Sequence, residues 1–99
     1  MKYIVYQTIN VVNNKVYIGV HKTETPYIFD GYLGCGVKIN DRSTYKYSKT
    51  PFEAAVNKYG PNKFIRKTLK VFNSLEDALD LERWLVDAEF ISIKDTYNI

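Results

Sequence analysis

The chain has 99 residues, of which 45% are hydrophobic and 25% charged. This is ordinary usage for one compact domain over residues 1–99, and it excludes both disorder along the whole length and a separate cofactor-binding domain. The single Cys35 excludes an internal disulfide and a four-cysteine zinc site, and a reducing, cytosolic compartment is the expectation. No apolar run approaches the ~20 residues of a membrane span, and residues 1–20 lack a signal-peptide pattern, so no membrane partner is expected.

The net charge of +3 is unevenly spread. Residues 1–70 carry 12 Lys or Arg against 4 Asp or Glu, whereas residues 71–99 carry 2 against 7. This asymmetry points to a basic face suited to a polyanion and an acidic element elsewhere. An ordinary solvated surface with one acidic helix would give the same count.

Tyr3–Val12 and Lys15–Val20 are rich in β-branched and aromatic residues and predict a hairpin around Asn13-Asn14, since Asn tolerates positive φ. A two-residue loop would oppose Asn10 to Tyr17, Thr8 to Gly19 and Tyr6 to His21. Alternation then puts Tyr6, Thr8, Asn10, Tyr17, Gly19 and His21 on one polar face. Val5, Ile9, Val11, Val16, Ile18 and Val20 fall on the core face. Two phenols beside an imidazole suggest chemistry, although either tyrosine alone is ordinarily a packing residue. His21 is the sole histidine, so a multi-histidine zinc site is excluded.

Residues 22–50 read as a long loop with one helical turn near Val37–Asn40. Long loops in compact domains are commonly functional. Gly31-Tyr32-Leu33-Gly34-Cys35-Gly36 lacks the strand-turn-helix context of a phosphate-binding loop, so no nucleotide cofactor is expected. Lys38, Arg42, Tyr45, Lys46, Tyr47 and Lys49 interleave cations with rings, which suits a nucleic-acid groove and equally a soluble loop.

Thr50 as N-cap, Pro51 at the first turn and Glu53 as capping-box partner start a helix that Gly60-Pro61 stops. Phe52, Ala55, Val56 and Tyr59 form its buried stripe. Phe64–Phe72 predicts a strand with Ile65, Leu69 and Val71 inward. Ser74 caps a main helix over residues 75–93. The expected fold is α+β, a small antiparallel three-stranded sheet covered by helices.

On that main helix, at about 100° per residue, Glu82 falls in the middle of the apolar arc of Ala78, Leu79, Leu85 and Val86, with Glu89 near it. A carboxylate facing a core is costly unless paired or bound to a metal. A buried ion pair or an edge position would also accommodate Glu82.

These residues together resemble the GIY-YIG nuclease superfamily. Ile4-Val5-Tyr6, ten intervening residues, then Tyr17-Ile18-Gly19 look like its signature. Asn13-Asn14-Lys15-Val16-Tyr17-Ile18-Gly19 is similar to phage intron-encoded homing endonucleases. Lys58-Tyr59-Gly60 followed by Phe64, Leu81-Glu82-Arg83-Trp84-Leu85-Val86 and terminal Tyr97-Asn98 match further segments. The resemblance covers nearly the whole chain. It implies an α/β sandwich that hydrolyses DNA with one divalent cation, Mg²⁺ or Mn²⁺, in a phage or mobile-element protein acting in the host cell. Glu82 would hold the metal, Tyr17 would act as general base or water-positioning phenol beside Tyr6, and Asn98 would brace the site.

Two positions depart from the family pattern. Ile4 stands in place of the first glycine. Tyr27 stands where most members carry arginine, eight residues after Gly19. The transition-state cation would then come from Lys38, Arg42 or Lys22, in that order, and His21 would assist the base or bind phosphate. Lys22, Lys38, Arg42, Lys46 and Lys49 would contact DNA. The alternative is a non-catalytic nucleic-acid-binding module on the same fold. Oligomeric state is not legible.

Overall fold

The computed structural model describes residues 1–87 and 96–98. Strands β1 (Lys2–Asn10), β2 (Val16–Thr23) and β5 (Phe64–Phe72) form an antiparallel sheet in the order β2-β1-β5. Between them lie a small hairpin of β3 (Tyr32–Gly34) and β4 (Val37–Lys38), then helix α1 (Pro51–Tyr59). Helix α2 (Leu75–Leu85) follows β5. The α+β expectation holds. The expected continuation of α2 through residue 93, including Glu89, lies outside the described residues. No described helix is long and apolar enough to cross a membrane.

The β1–β2 hairpin forms, but its loop holds five residues rather than two. Tyr6 opposes Gly19, Thr8 opposes Tyr17 and Ile4 opposes His21. Asn10 explains the wider loop. Its backbone N–H donates to the Lys15 carbonyl, its own carbonyl accepts from Asn14 N–H, and its side-chain oxygen accepts from Val12 N–H. Asn14 takes the left-handed φ of 62°. The pairing therefore shifts by two residues, one full side-chain period, so Tyr6, Thr8, Tyr17, Gly19 and His21 still share a face. Val11 sits in the loop and is exposed, not in the core.

Helix α1 follows its local signals. The Thr50 hydroxyl accepts from Glu53 N–H at 3.1 Å, and Gly60, at φ 89°, donates its N–H to the Val56 carbonyl. Phe52, Ala55 and Val56 are buried with Leu33, Val37, Phe64 and Tyr97 on the Tyr6 side of the sheet. Burying Phe52 alone contributes roughly 1.5–3 kcal/mol. Helix α2 packs Ala78, Leu81 and Leu85 against Val5, Ile18, Val20 and Phe72 on the opposite side.

Two expectations need correction. Val37–Lys38 is a strand paired with Tyr32–Gly34, not a helical turn; the turn lies at Arg42–Thr44, capped by Asp41. On β5, Ile65 and Leu69 are exposed, while Phe64 is buried and the Arg66 side chain is only 2% exposed. The cause is a β-bulge. The β1–β5 register shifts between Val5 and Tyr6, so Phe64, Arg66 and Thr68 share the Tyr6 face before it and Val71 joins Ile4 after it. A single alternation read along the whole strand assigns the first half to the wrong side.

Candidate active site

The phenols of Tyr6 and Tyr17 stand on one face with ring centroids 6.3 Å apart. Two glycines make the room. A Cβ on Gly19 would lie 2.5 Å from the Tyr6 hydroxyl, and one on Gly34 would lie 2.8 Å from Tyr17 Cδ2 and 2.9 Å from the Tyr6 hydroxyl. Glycine inside a strand often marks such a close approach. That signal is visible in the sequence at Gly19, whereas Gly34 falls in the stretch whose sequence suggests a long loop rather than a strand. Tyr17 also packs on Phe52 at 5.1 Å.

A cavity of about 340 Å³ opens along the outer edge of β2. Tyr17 from β2, Glu82, Arg83 and Val86 from α2 and its end, Cys35, Thr50 with Pro51, and Tyr97 with Asn98 surround it. Glu82, Tyr17 and Asn98 are therefore brought together although they are up to 81 residues apart in the chain. Cys35 had carried no signal as a site residue. It is placed there by a left-handed backbone, φ 52°, at the tip of the β3–β4 hairpin.

Asn98 spends its side chain on the backbone of β2. Its oxygen accepts from Ile18 N–H at 2.7 Å, and its amide donates to the Ile18 carbonyl at 2.7 Å. Thr96 and Tyr97 tie the same segment to Val16. Asn98 thus holds the residue between Tyr17 and Gly19, a bracing arrangement.

Burial disfavours charge throughout this site. It pushes the Tyr6 phenol well above the ordinary value of 10.0, with Tyr32 and Tyr17 adding to the effect. It pushes the Tyr17 phenol up as well, reinforced by Cys35, Tyr32 and the negative charge of Glu82. Partial burial also raises the Glu82 carboxyl, against a smaller opposing pull from Arg83. Both phenols are therefore protonated at neutral pH, so Tyr17 presents an O–H donor at the cavity.

No group of three or more His, Cys, Asp or Glu side chains gathers among the described residues. Among the described residues the cavity offers one carboxylate, Glu82, beside the Tyr17 and Thr50 hydroxyls and the Cys35 thiol, while the Asn98 oxygen is taken up by Ile18 N–H and the Thr96 hydroxyl. Zinc needs more ligands, whereas Mg²⁺ or Mn²⁺ takes oxygen donors and retains several waters. The residues fit an ion of that kind.

The remaining expected site residues lie elsewhere. His21 and Lys38 line a second cavity of about 250 Å³ with Asp30, Tyr32, Asn40 and Asp41. Arg42 lines a third pocket beside Tyr45 and Asn57. Lys22 opposes Tyr3 and so shares the α2 face of the sheet. Lys46 and Lys49 are exposed around the Tyr47 ring. Among the described residues the cation lining the Glu82 cavity is Arg83, which also pairs with Asp80.

Between the two cavities runs a polar network that strand alternation had not suggested. His21 Nε2 and Asp30 Oδ2 are 2.7 Å apart, and Arg66 Nη1 lies 3.0 Å from Asp30 Oδ1 and donates to the Tyr32 carbonyl. His21 stacks on Tyr32 at 4.1 Å, and Tyr32 meets Tyr6 edge-on at 6.0 Å. Burial opposes ionisation of Asp30, but hydrogen bonds from His21 and Tyr32 N–H and the charge of Arg66 hold its carboxyl down at about 2.

No family model matches the chain, and no solved structure matches it. Curated proteins do. The chain is 38% identical over 98 residues to segD and 37% identical over 99 residues to segE, both carrying the name "Putative endonuclease" in Enterobacteria phage T4. These alignments take in 99% and 100% of this chain but 37% and 41% of the relatives. "Endonuclease segA" of the same phage is 33% identical over 94 residues, 95% of this chain and 36% of that protein. The chain thus spans about two-fifths of the length of these relatives.

Proposed function

We propose that this chain is a GIY-YIG-type endonuclease domain that hydrolyses DNA phosphodiesters with Mg²⁺ or Mn²⁺ held at Glu82. The observation that carries the reading is the convergence of Tyr17, Glu82 and Asn98 on one cavity, with the Tyr6 phenol against Tyr17. The endonuclease names of the phage relatives support it.

A divalent ion on Glu82 would neutralise charge on the phosphate and its leaving oxygen. The chain's own residues do the rest. Glu82, partly desolvated, supplies one fixed negative ligand. Tyr17 orients the attacking water through its hydroxyl, and Tyr6 fixes the Tyr17 ring from behind. Asn98 holds β2 in register so that the phenol stays at the cavity. Arg83 supplies positive charge at the rim, and the start of α1 at Thr50-Pro51 adds the partial positive charge of a helix N-terminus.

Plasmid nicking tests the reading. Wild-type protein should nick DNA with Mg²⁺ or Mn²⁺ and stop in chelator. Glu82→Ala and Tyr17→Phe should lose the activity while remaining folded. The protonated state of both phenols favours one other reading, a non-catalytic DNA-binding module. Intact plasmid across metals and pH, with retardation of DNA that ignores chelator, would establish that reading instead.

A further inference from the structure

Residues 42–63 carry Arg42, Lys46, Lys49, Lys58 and Lys63 against a single acid, Glu53. Glu53 is buried and its carboxylate accepts from the Thr50 hydroxyl, so it offsets little of that charge at the surface. The five cations are exposed, and among the described residues none of them is in an ion pair. Asp41, at the edge of the segment, turns its carboxylate onto Ser43 and lines the cavity of His21 and Lys38. Helix α2, across the sheet, has the reverse balance, with Glu76, Asp77, Asp80 and Glu82 against Arg83.

The fold gathers these cations. Asn57 of α1 donates to the Tyr45 carbonyl at 2.6 Å and to the Ser48 hydroxyl at 2.7 Å, which straps the preceding loop to the helix. Ser48 takes a left-handed φ of 51°, and there the chain turns so that Lys46 and Lys49 both meet the Tyr47 ring, with Nζ 4.8 and 5.9 Å from its centre. Tyr47 is exposed and holds the two ammonium groups by cation–π attraction. Two like charges held on one ring repel each other until an anion comes between them. Arg42 closes the far end at the third pocket, beside Tyr45, Asn57 and Gly60. At the near end Lys49 adjoins Thr50 and Pro51, which line the Glu82 cavity. Pro51, Ala54 and Lys58 follow one another at helical spacing, an exposed stripe leading away from that cavity.

We propose that this strip is a phosphate track. As a duplex leaves the Glu82 cavity, one DNA backbone runs along α1, with Lys46 and Lys49 on its phosphates and Lys58 and Arg42 flanking them. Exposed cations without counter-ions in the protein suit this task, because phosphates that replace mobile salt ions release them, and affinity rises without any reading of base sequence. The track deepens the reading of DNA as substrate and rests on it, but it does not require that the chain cut DNA. Loop 42–49 thereby gains a role that the cavity residues do not supply, which is to hold the backbone next to the cavity.

The test uses the Glu82→Gln protein in chelator, so that cleavage plays no part, and a short duplex of mixed sequence titrated at several salt concentrations. The Lys46→Gln/Lys49→Gln variant should bind about tenfold more weakly at low salt and lower the slope of log affinity against log salt by about two, since each phosphate contact contributes about 0.9. The Lys67→Gln/Lys70→Gln variant removes the same charge from the α2 side of β5, where these lysines pair with Gln7 and Val5, and should keep the parent slope. All four side chains belong to exposed residues, so melting temperatures should match the parent. Equal losses from the two pairs would reduce the effect to net charge and overturn the track, as would an unchanged slope in the Lys46/Lys49 variant. If wild-type protein nicks plasmid in either of those cases, the nuclease reading survives alone. If wild-type protein cuts nothing but the slope change appears only with Lys46 and Lys49, the track survives and the nuclease reading fails. Absence of any DNA binding by the parent removes both.

Discussion

The Tyr6 hydroxyl stands over Gly19, 2.5 Å from the point where any larger residue would put its Cβ. Tyr6 is almost fully buried, so its ring cannot swing away, and Gly19 cannot be replaced without moving the phenol. Gly19→Ala should therefore cost about 1–3 kcal/mol of stability by overpacking. Because Tyr17 Cε2 is only 3.1 Å from the same point, the substitution should also displace both phenols and abolish nicking. Urea unfolding and plasmid nicking check the two effects. A stable, active Gly19→Ala protein would show that the phenol cluster is not tightly set.

Glu82 is predicted to trade stability for activity. Its folded pKa is raised, first by desolvation, so the ionised form is the unfavourable one. The stability contributed by its protonated form is full below the ordinary carboxyl pKa and is lost as pH rises through the folded value. Glu82→Gln removes that loss. At neutral pH and without metal, it should melt at the same temperature as wild type or higher, while nicking disappears. A clear fall in melting temperature would mean that Glu82 is held by a structural ion pair instead.

Asp30 has the opposite sign. Its folded value of about 2 lies below the ordinary 3.8, so its contribution is present above the ordinary value and is lost as pH falls through about 2. Solvent reaches part of this carboxylate, so the contribution is about 1 kcal/mol after screening. Asp30→Asn should lower stability at neutral pH by more than that amount and flatten the acid limb of stability against pH. It also leaves the Arg66 guanidinium, whose side chain is 2% exposed, without its counter-ion. Denaturant melts across the acid range check this.

Asn98 makes two hydrogen bonds to Ile18, each 2.7 Å long. Asn98→Ala should cost about 1–2 kcal/mol for the lost pair. Nicking should fall because Tyr17 is adjacent to Ile18 in β2. Exchange of the Ile18 amide proton, protected in wild type by the Asn98 oxygen, should speed up in the variant. Unchanged exchange would show that the brace is dispensable.

The legible parts of this protein were those governed by near neighbours. Thr50, Pro51, Glu53 and Gly60 marked both ends of α1 because caps act within one turn. Tyr6, Tyr17 and His21 were assigned to one face correctly despite a wrong loop length, because a two-residue shift leaves strand parity unchanged. The inward lean of Glu82 was readable from helical period alone. By contrast, Arg66 was hidden behind a bulge, and the β3–β4 hairpin was too short to leave a pattern.

The sequence by itself determined the alternation of the first two strands, the caps of α1 and the face on which Glu82 stands. All of these follow from interactions spanning a few residues. Only the tertiary structure decided that Asn98 clamps Ile18, that Cys35 joins Tyr17 at the cavity, and that His21 and Lys38 open onto a different one. Those outcomes depend on which segments meet across the sheet, through the β1–β5 bulge and the pairing of residues 96–98 with β2. Such contacts join residues tens of positions apart, and no local propensity encodes them.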